Sequence, residues 1–351
     1  MLSRYVITPR SPIITPLMSD TFFGHFCWYL AYQHNDTENY LSDFLEQFHC
    51  NQPAPVIFSC GFPKGFLPRP TIPGMKASET DQFIQKHLSE FKKNQISPDI
   101  SDQKAMFDSR VIIKQWKKRQ WISLDQWSSI NHNYSEFSLY EQYLTTNDSS
   151  QQKYTELDIV GANFVNRLTG MVPDRDFGGG GFFHREKIWF NHNSQVHLYV
   201  DINDNTCEQL VDQFLLEYLP DYGFGADKSV GMGHLGIKKD VKFDPQTIQV
   251  ENANAQLSLS YASFEGIGNY RAHYKLFTKF GRLGGHYAIP EASGKKPNPF
   301  KKPVLMFEPG AVFYDVDPRE LIRQPLLKDI HSNKAIRHSG IPLLMPFRIE
   351  R

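Results

Sequence analysis

Residues 196–236, VHLYVDINDNTCEQLVDQFLLEYLPDYGFGADKSVGMGHLG, carry the clearest structural pattern in the chain. Val196, Leu198, Val200 and Ile202 alternate with His197, Tyr199 and Asp201, the period-two signature of a half-buried strand. Thr206, with Gln209 three residues on, fits a capping box at a helix start. Leu210, Val211, Phe214, Leu215, Tyr218 and Leu219 then form one apolar helical face. Pro220 and Gly223 end the helix, and residues 237–250 return to strand-like alternation. Strand, helix, Gly-rich loop and strand in mixed order predict an α+β fold rather than a doubly wound sheet.

Upstream, Tyr5 to Ile14 mix β-branched residues with Pro9 and Pro12, which suggests an edge strand. Ser19 and Asp20 offer an N-cap for a helix carrying Phe22, Phe23, Phe26, Cys27 and Leu30 at helical spacing. Six prolines within residues 51–75 predict a long irregular loop. Residues 78–104 are polar with a weak helical pattern, and 128–155 are rich in Ser, Asn and Gln; both are expected to be mobile insertions. Downstream, Leu257, Leu259 and Tyr261 alternate with serines, and 304–313 suggest two short strands around Pro309-Gly310. In residues 270–280, Tyr270, Ala272, Tyr274 and Leu276 fall on one strand face and Arg271, His273, Lys275 and Lys279 on the other.

Among 351 residues, 38 Lys+Arg balance 38 Asp+Glu, which excludes a globally basic nucleic-acid coat and an acidic solvating chain. A chain that is 40% hydrophobic and 14% aromatic can fill one large core or two modest ones, so intrinsic disorder is excluded. Zero net charge makes the free chain a candidate for assembly with something else. MLSRYVITPRSPIITPL lacks an apolar run and a small-residue cleavage site, so no signal peptide is expected, and no window spans a membrane. Cys27, Cys50, Cys60 and Cys207 make no disulfide framework and are expected to be reduced thiols of a cytoplasmic protein.

The balanced total hides segregation. Residues 110–121 (RVIIKQWKKRQW) carry five Lys/Arg and no acid beside Trp116 and Trp121. Residues 271–302 carry eight Lys/Arg against Glu291 alone, whereas 201–222 carry six Asp/Glu and no Lys/Arg. A sheet face with Arg271, His273 and Lys275 suits a phosphate backbone, and interleaved aromatics suit unpaired bases. The same pattern also describes a solvated edge strand protected by lysine. The acidic 201–222 segment, with Glu208 and Asp212, should face protein or solvent.

Five glycines in the fourteen residues 223–236 flank Lys228 and Ser229. Gly231-Met-Gly233-His-Leu-Gly236 matches G-x-G-x-x-G, but a helix precedes it and an extended segment follows, the reverse of a dinucleotide site. Gly223 to Ser229 ends in Lys-Ser like a P-loop, yet Asp227 stands where glycine is required. A helix C-terminal turn accounts for Gly223 and Gly225 but not for Gly231, Gly233 and Gly236. A loop whose bare backbone approaches phosphate and ribose accounts for all five. Further upstream, Asn163, Asn166 and Arg167, then Gly178 to Gly181 with Phe182 and Phe183, suggest a protruding hairpin or a surface loop.

Catalytic patterns are sparse. The histidines show no H-E-x-x-H or Cys/His metal spacing, and G-x-S-x-G is absent, so no metal site or cofactor is expected. His25, between Gly24 and Phe26, could serve a metal-free ribonuclease as general acid, although such a residue is more often structural.

These stretches resemble the RAMP superfamily of CRISPR effector complexes, and within it the Cas5-group subunit of type III-A (Csm) complexes. The resemblance rests on SDTFFGHFCWYL (19–30), KKRQWISLDQW (117–127), NRLTG (166–170) and above all GFGADKSVGMGHL (223–235). PVLMFEPGAVF (303–313) and SGIPLLMPFRI (339–349) complete it, in family order over nearly the whole chain. It implies two ferredoxin-like (RRM-like) domains: 1–242, with insertions at 51–155 and a hairpin thumb at 163–183, and 243–351. It further implies no catalytic activity, and a subunit that holds the 5′ repeat-derived tag of crRNA. The neighbours it implies are a large palm-domain subunit and a Cas7-group backbone RAMP subunit, with target RNA met indirectly and no membrane. On this reading RNA would meet Gly223, Gly225, Lys228, Ser229, Gly231, Gly233, Asn166, Arg167, Phe182, Phe183, Arg271, His273 and Lys275. The alternative is a RAMP endoribonuclease that trims precursor crRNA through His25. More remote is a nucleotide-binding enzyme using the 223–236 loop, whose isolated chain would bind ATP or NAD.

Overall fold

The computed structural model describes residues 1–33, 40–49, 52–145, 154–163, 182–263, 270–285 and 298–350. The first elements are β1 (Leu2–Pro9), α1 (Ser19–Gln33), α2 (Tyr40–Glu46), β2 (Val56–Phe58), β3 (Phe62–Pro63) and β4 (Phe66–Pro68). A helical layer follows: α3 (Ala77–Lys86), α4 (Leu88–Asn94), α5 (Asp102–Lys117), β5 (Trp121–Ser123), α6 (Leu124–Ile130) and α7 (Glu136–Thr145). Next come β6 (Thr155–Asn163), β7 (Phe182–Phe190), β8 (Val196–Ile202), α8 (Thr206–Gln213), a π-helical turn (Phe214–Tyr218), α9 (Leu219–Tyr222) and β9 (Leu235–Lys239). The last part holds β10 (Ala255–Ser258), β11 (Ala262–Ser263), β12 (Ala272–His273), β13 (Leu276–Lys279), β14 (Val304–Phe307), β15 (Val312–Tyr314), α10 (Pro318–Ile322) and β16 (Leu344–Phe347).

The strand and helix expected at 196–219 are β8 and α8–α9, and they build the first sheet. Its antiparallel order is β2-β8-β1-β9, with β3 also on β8. Because β8 lies between β1 and β2, and β1 between β8 and β9, both helical connections are split β-α-β crossovers. Alternation buries Tyr5 and Ile7 of β1 completely. Phe26 of α1 meets Phe58 of β2 at 5.7 Å and Phe214 at 5.3 Å, so both helices cover one face. Each such ring removed from water contributes about 1.5–3 kcal/mol.

Several local expectations change. β1 is an interior strand, because Pro9 is its last residue and leaves the ladder donors before it intact. Thr206 is not the cap: Asp204 accepts from the Thr206 N–H at 2.9 Å and from its hydroxyl at 2.7 Å. Ser19 and Asp20 lie inside α1 and are buried, Asp20 pairing with Lys279 at 3.1 Å. The Pro-rich 51–75 segment holds three short strands, because its prolines flank the buried Val56–Phe58 run rather than interrupt it.

The described parts of the insertions expected to be mobile form a packed helical layer instead. Ala105, Ser109, Ile113 and Trp116 of α5 are buried at helical spacing. Trp116 stacks on Phe91 at 5.5 Å and meets Tyr140 and Tyr143 of α7. Arg69 donates to Glu136 at 2.6 Å and to the Trp116 carbonyl at 2.6 Å, tying β4 to both helices. The neighbouring glutamate raises the Arg69 pKa against the cost of burial. Polar composition misleads here because the polar side chains face outward from an aromatic interior.

Toward the C-terminus, one sheet runs β12-β15-β10-β16 and another β11-β14-β13. The single strand face expected over 270–280 does not form, since β12 and β13 belong to different sheets. Leu276 is 51% exposed, while Lys279 turns inward to Asp20. Beyond residue 243, α10 is the sole α-helix among the described residues. The main core nevertheless runs on from the first sheet into Leu257, Val312, Met345 and Phe347. Cys27, Cys60 and Cys207 are free thiols. Among the described residues no helix is long and apolar enough to cross a membrane.

Candidate nucleic-acid interface

The Gly-rich loop leaves α9 at Gly223, whose φ of +77° turns the chain sharply, and enters β9 at Leu235. Most of its backbone donors are used within the chain. Phe224 N–H donates to the Gly233 carbonyl, Gly233 N–H to Pro12, Gly225 N–H to His25 Nε2, Ala226 N–H to Thr15 Oγ1 and His234 N–H to Ser11 Oγ. Three successive N–H groups remain. Those of Asp227, Lys228 and Ser229 donate to no acceptor among the described residues. Lys228 and Ser229 are exposed beside them. Consecutive free N–H groups in a turn make an anion-binding concavity.

The glycines divide into two kinds. A Cβ on Gly233 would lie 1.9 Å from the Phe224 carbonyl oxygen, and one on Gly225 2.7 Å from Thr15 Cβ. Those two are required by the loop's own packing. Gly231 has φ +86° and nothing within 4 Å of its missing Cβ, so it opens outward. Ligand approach as the reason for every glycine is therefore narrowed to the 227–231 tip.

His25 belongs to the loop's support. Its Nε2 accepts from Gly225 N–H at 2.9 Å and its ring lies 5.0 Å from that of Phe224. Burial first, and the Lys228 charge second, pull its pKa down to about 3, so the ring is neutral at ordinary pH.

The hairpin thumb expected at 163–183 lies, but for its end residues, outside the described residues, and two antiparallel strands flank it. β6 and β7 pair over their full length, from Thr155 opposite Phe190 to Asn163 opposite Phe182. Phe182 is 64% exposed and Phe183 38%. Asn166, Arg167 and Gly178 to Gly181 lie outside the described residues. A residue that sequence reasoning missed joins hairpin and loop: Arg185 of β7 pairs with Asp227 at 2.8 Å and lies 5.1 Å over the Phe183 ring. The backbone bonds between Ile13 and Ile188 hold the hairpin base against the segment that also supports the loop. Arg10, whose guanidinium lies across Gly236, is a second missed cation at the same place. No local signal marks either residue, because each becomes part of the site through pairing with distant strands.

The remaining candidates are not brought to this site. His273 sits on β12, the edge of the second sheet, and Arg271 directly precedes it; Arg271 lies over Tyr314 and His273 Nδ1 is 3.0 Å from the Tyr314 hydroxyl. Lys275 follows at the break before β13. No described contact links these three to the loop or the hairpin. In the basic 110–121 stretch, Trp116 is 2% exposed and so unable to stack on a base. The acidic 201–222 segment is partly spent inside the chain: Asp212 accepts from Tyr5 and Lys239, and Glu208 pairs with the same lysine. No three His, Cys, Asp or Glu side chains come together as a metal site would need, among the described residues.

A split β-α-β sheet, a Gly-rich loop with a free-amide tip and paired strands leaning on that loop define a mixed α/β chain with several small antiparallel sheets. Solved structures resemble it. A chain of the Csm1–Csm4 cassette in complex with pppApA is 12% identical with a TM-score of 0.52, covering 100% of both chains. A chain of the Csm3–Csm4 subcomplex in the type III-A CRISPR-Cas interference complex is 14% identical with a TM-score of 0.51, covering 99% of each. Csm4 is the component common to both assemblies, and the fold of this chain is like theirs end to end. No family model and no curated protein matches the chain.

Proposed function

We propose that the chain is a non-catalytic RNA-binding subunit of a type III-A CRISPR interference complex, of the RAMP superfamily and its Cas5 group. In this role it holds the 5′ repeat-derived tag of the crRNA. It also anchors a large palm-domain subunit to a Cas7-group backbone subunit, working in the cytoplasm and meeting target RNA only indirectly. One observation carries the reading: the free N–H groups of residues 227–229, with Lys228 and Ser229, form an anion-receptive tip that Arg185 ties to the hairpin. Phosphates supply the anions such a tip takes, and exposed Phe182 and Phe183 supply surfaces for unstacked bases. The likeness to chains crystallised with Csm1 and with Csm3 supports the two protein neighbours. The split β-α-β order supports a ferredoxin-like first unit within 1–242.

A catalytic role for His25 is disfavoured by its chemistry. A general acid must hold a proton within reach of the leaving oxygen, and this ring is neutral with Nε2 committed to Gly225. The test is reconstitution of the full chain with large and backbone subunits on crRNA carrying its tag. Lys228→Ala should lose tag protection in footprinting while mature guide length is unchanged. Tag protection equal to wild type, or processing of precursor RNA by the purified chain, would refute the proposal.

A further inference from the structure

A cavity of about 680 Å³ opens between the hairpin base, the end of α5 and the Ile13–Leu17 segment. No residue of the Gly-rich loop lines it. Three aromatic residues, Trp121, Tyr154 and Phe190, contribute to its wall. Gln115, Lys118 and Gln120 stand at it from the C-terminal end of α5 and the turn beyond. Their side chains make no hydrogen bond or ion pair among the described residues. The terminal α5 carbonyl of Trp116 is already satisfied by Arg69, so Lys118 is not needed there as a cap. Arg119 also lines the wall, with its guanidinium 4.1 Å over the Tyr143 ring, and no lining residue is acidic.

We infer that this cavity binds one nucleotide: a base against the aromatic wall and a phosphate at Lys118. The volume falls in the ~300–1,000 Å³ range of sites that bury a ligand of that size. Every base has a π-face that an aromatic wall can stack, and carboxamide side chains present donor and acceptor together to a base edge. A cationic rim without acids attracts an anionic group, and the phosphate of a nucleotide supplies one beside the base that the aromatic wall can take. The ligand is either a free nucleoside monophosphate or a nucleotide turned out of an RNA strand; the recognition chemistry is the same. This site stands apart from the loop tip, so it does not depend on the tag-binding reading.

The experiment titrates the full chain with AMP, GMP, CMP and UMP, and with ribose 5-phosphate and adenosine as the two halves. Binding is read by calorimetry and saturation-transfer NMR. Saturable one-site binding of the nucleotides is expected, with each half weaker by roughly tenfold or more, the equivalent of ~1.4 kcal/mol. Lys118→Glu should weaken nucleotide binding by about tenfold or more and Gln120→Ala by several-fold. Both side chains are exposed, so unchanged thermal midpoints check that the fold is kept. Single-stranded RNA carrying 2-aminopurine distinguishes the sources: quenching abolished by Lys118→Glu assigns the site to a strand nucleotide, and AMP binding without RNA quenching assigns it to the free one. Absence of saturable nucleotide binding overturns the proposal, as does ribose 5-phosphate binding equal to AMP. So does a Lys118→Glu variant that keeps nucleotide affinity but loses a protein subunit, which would make the cavity a protein-docking recess. The mononucleotide titration contains no tag RNA, so failure of the tag-binding reading registers separately, in the footprinting of the assembled complex.

Discussion

Arg185 in the hairpin and Asp227 at the tip of the Gly-rich loop form an ion pair of 2.8 Å, so two segments that are separate in sequence present one surface. Both side chains are partly exposed, which limits the pair's stabilising effect to about 0–1 kcal/mol. Its consequence is positional: it holds the loop's free N–H groups against the hairpin. Arg185→Ala should therefore shift the unfolding midpoint little while weakening binding of tag RNA by roughly three- to tenfold, the scale of a lost charged contact. RNA affinity equal to wild type in fluorescence anisotropy would show that loop and hairpin act independently.

Lys228 carries a charge with no acidic partner among the described residues. If it meets phosphate, Lys228→Ala weakens RNA of every sequence alike and reduces the slope of log affinity against log salt by about one. Anisotropy over a series of salt concentrations measures both effects. A change confined to one RNA sequence would reassign Lys228 to base reading.

Three histidines are held neutral by burial: His25 at about 3, His197 at about 4 and His338 at about 4. Unfolding lets each return to about 6.5, so the unfolded chain binds more protons below that pH. Their stabilising contribution is complete above pH 6.5 and is lost as pH falls toward the folded values. The slope reaches up to ~1.4 kcal/mol per pH unit for each group. His25→Gln keeps an acceptor for Gly225 N–H and removes one titrating ring. Urea midpoints between pH 7 and 4.5 should fall less steeply for this variant than for wild type; parallel curves would contradict the assignment.

Glycine substitutions should separate packing from binding. Gly233→Ala drives a methyl into the Phe224 carbonyl, 1.9 Å away, and should destabilise the chain by several kcal/mol, beyond the ~1–2 kcal/mol of a left-handed conformation alone. Gly231→Ala meets open space and should cost only that backbone term. Thermal unfolding of the two variants side by side measures the difference, and equal losses would disprove the distinction.

Arg69 and Glu136 are 9% and 8% exposed, the ion pair on which the helical layer closes. Arg69→Ala leaves a buried carboxylate without its partner, which costs ~3–5 kcal/mol. Arg69→Ala with Glu136→Leu should recover much of that loss in chemical denaturation, because two apolar groups leave no charge stranded. A double variant as unstable as Arg69→Ala would show that the arginine's bond to the Trp116 carbonyl dominates.

Sequence alone determined the elements whose pattern is local. The alternation of Val196 to Ile202, the apolar face from Leu210 to Leu219 and the glycines after it became β8, α8–α9 and a loop with positive φ at Gly223, Gly225, Gly231 and Gly233. Strand period, helical period and left-handed backbone depend on neighbours within a few residues, so they can be read directly. The Phe182-Phe183 pair and the basic-aromatic stretch were visible too, but not their surroundings. Tertiary structure alone decided that Trp116 turns inward, that β1 is interior and that Arg271, His273 and Lys275 fall at and around β12 of another sheet. It likewise decided that only the 227–229 amides stay free, since the donor of Gly225 is taken by His25, 200 residues away. Such choices rest on which distant groups meet once the core closes, and the free energy of that closure is spread over the whole chain. No short window of sequence contains it.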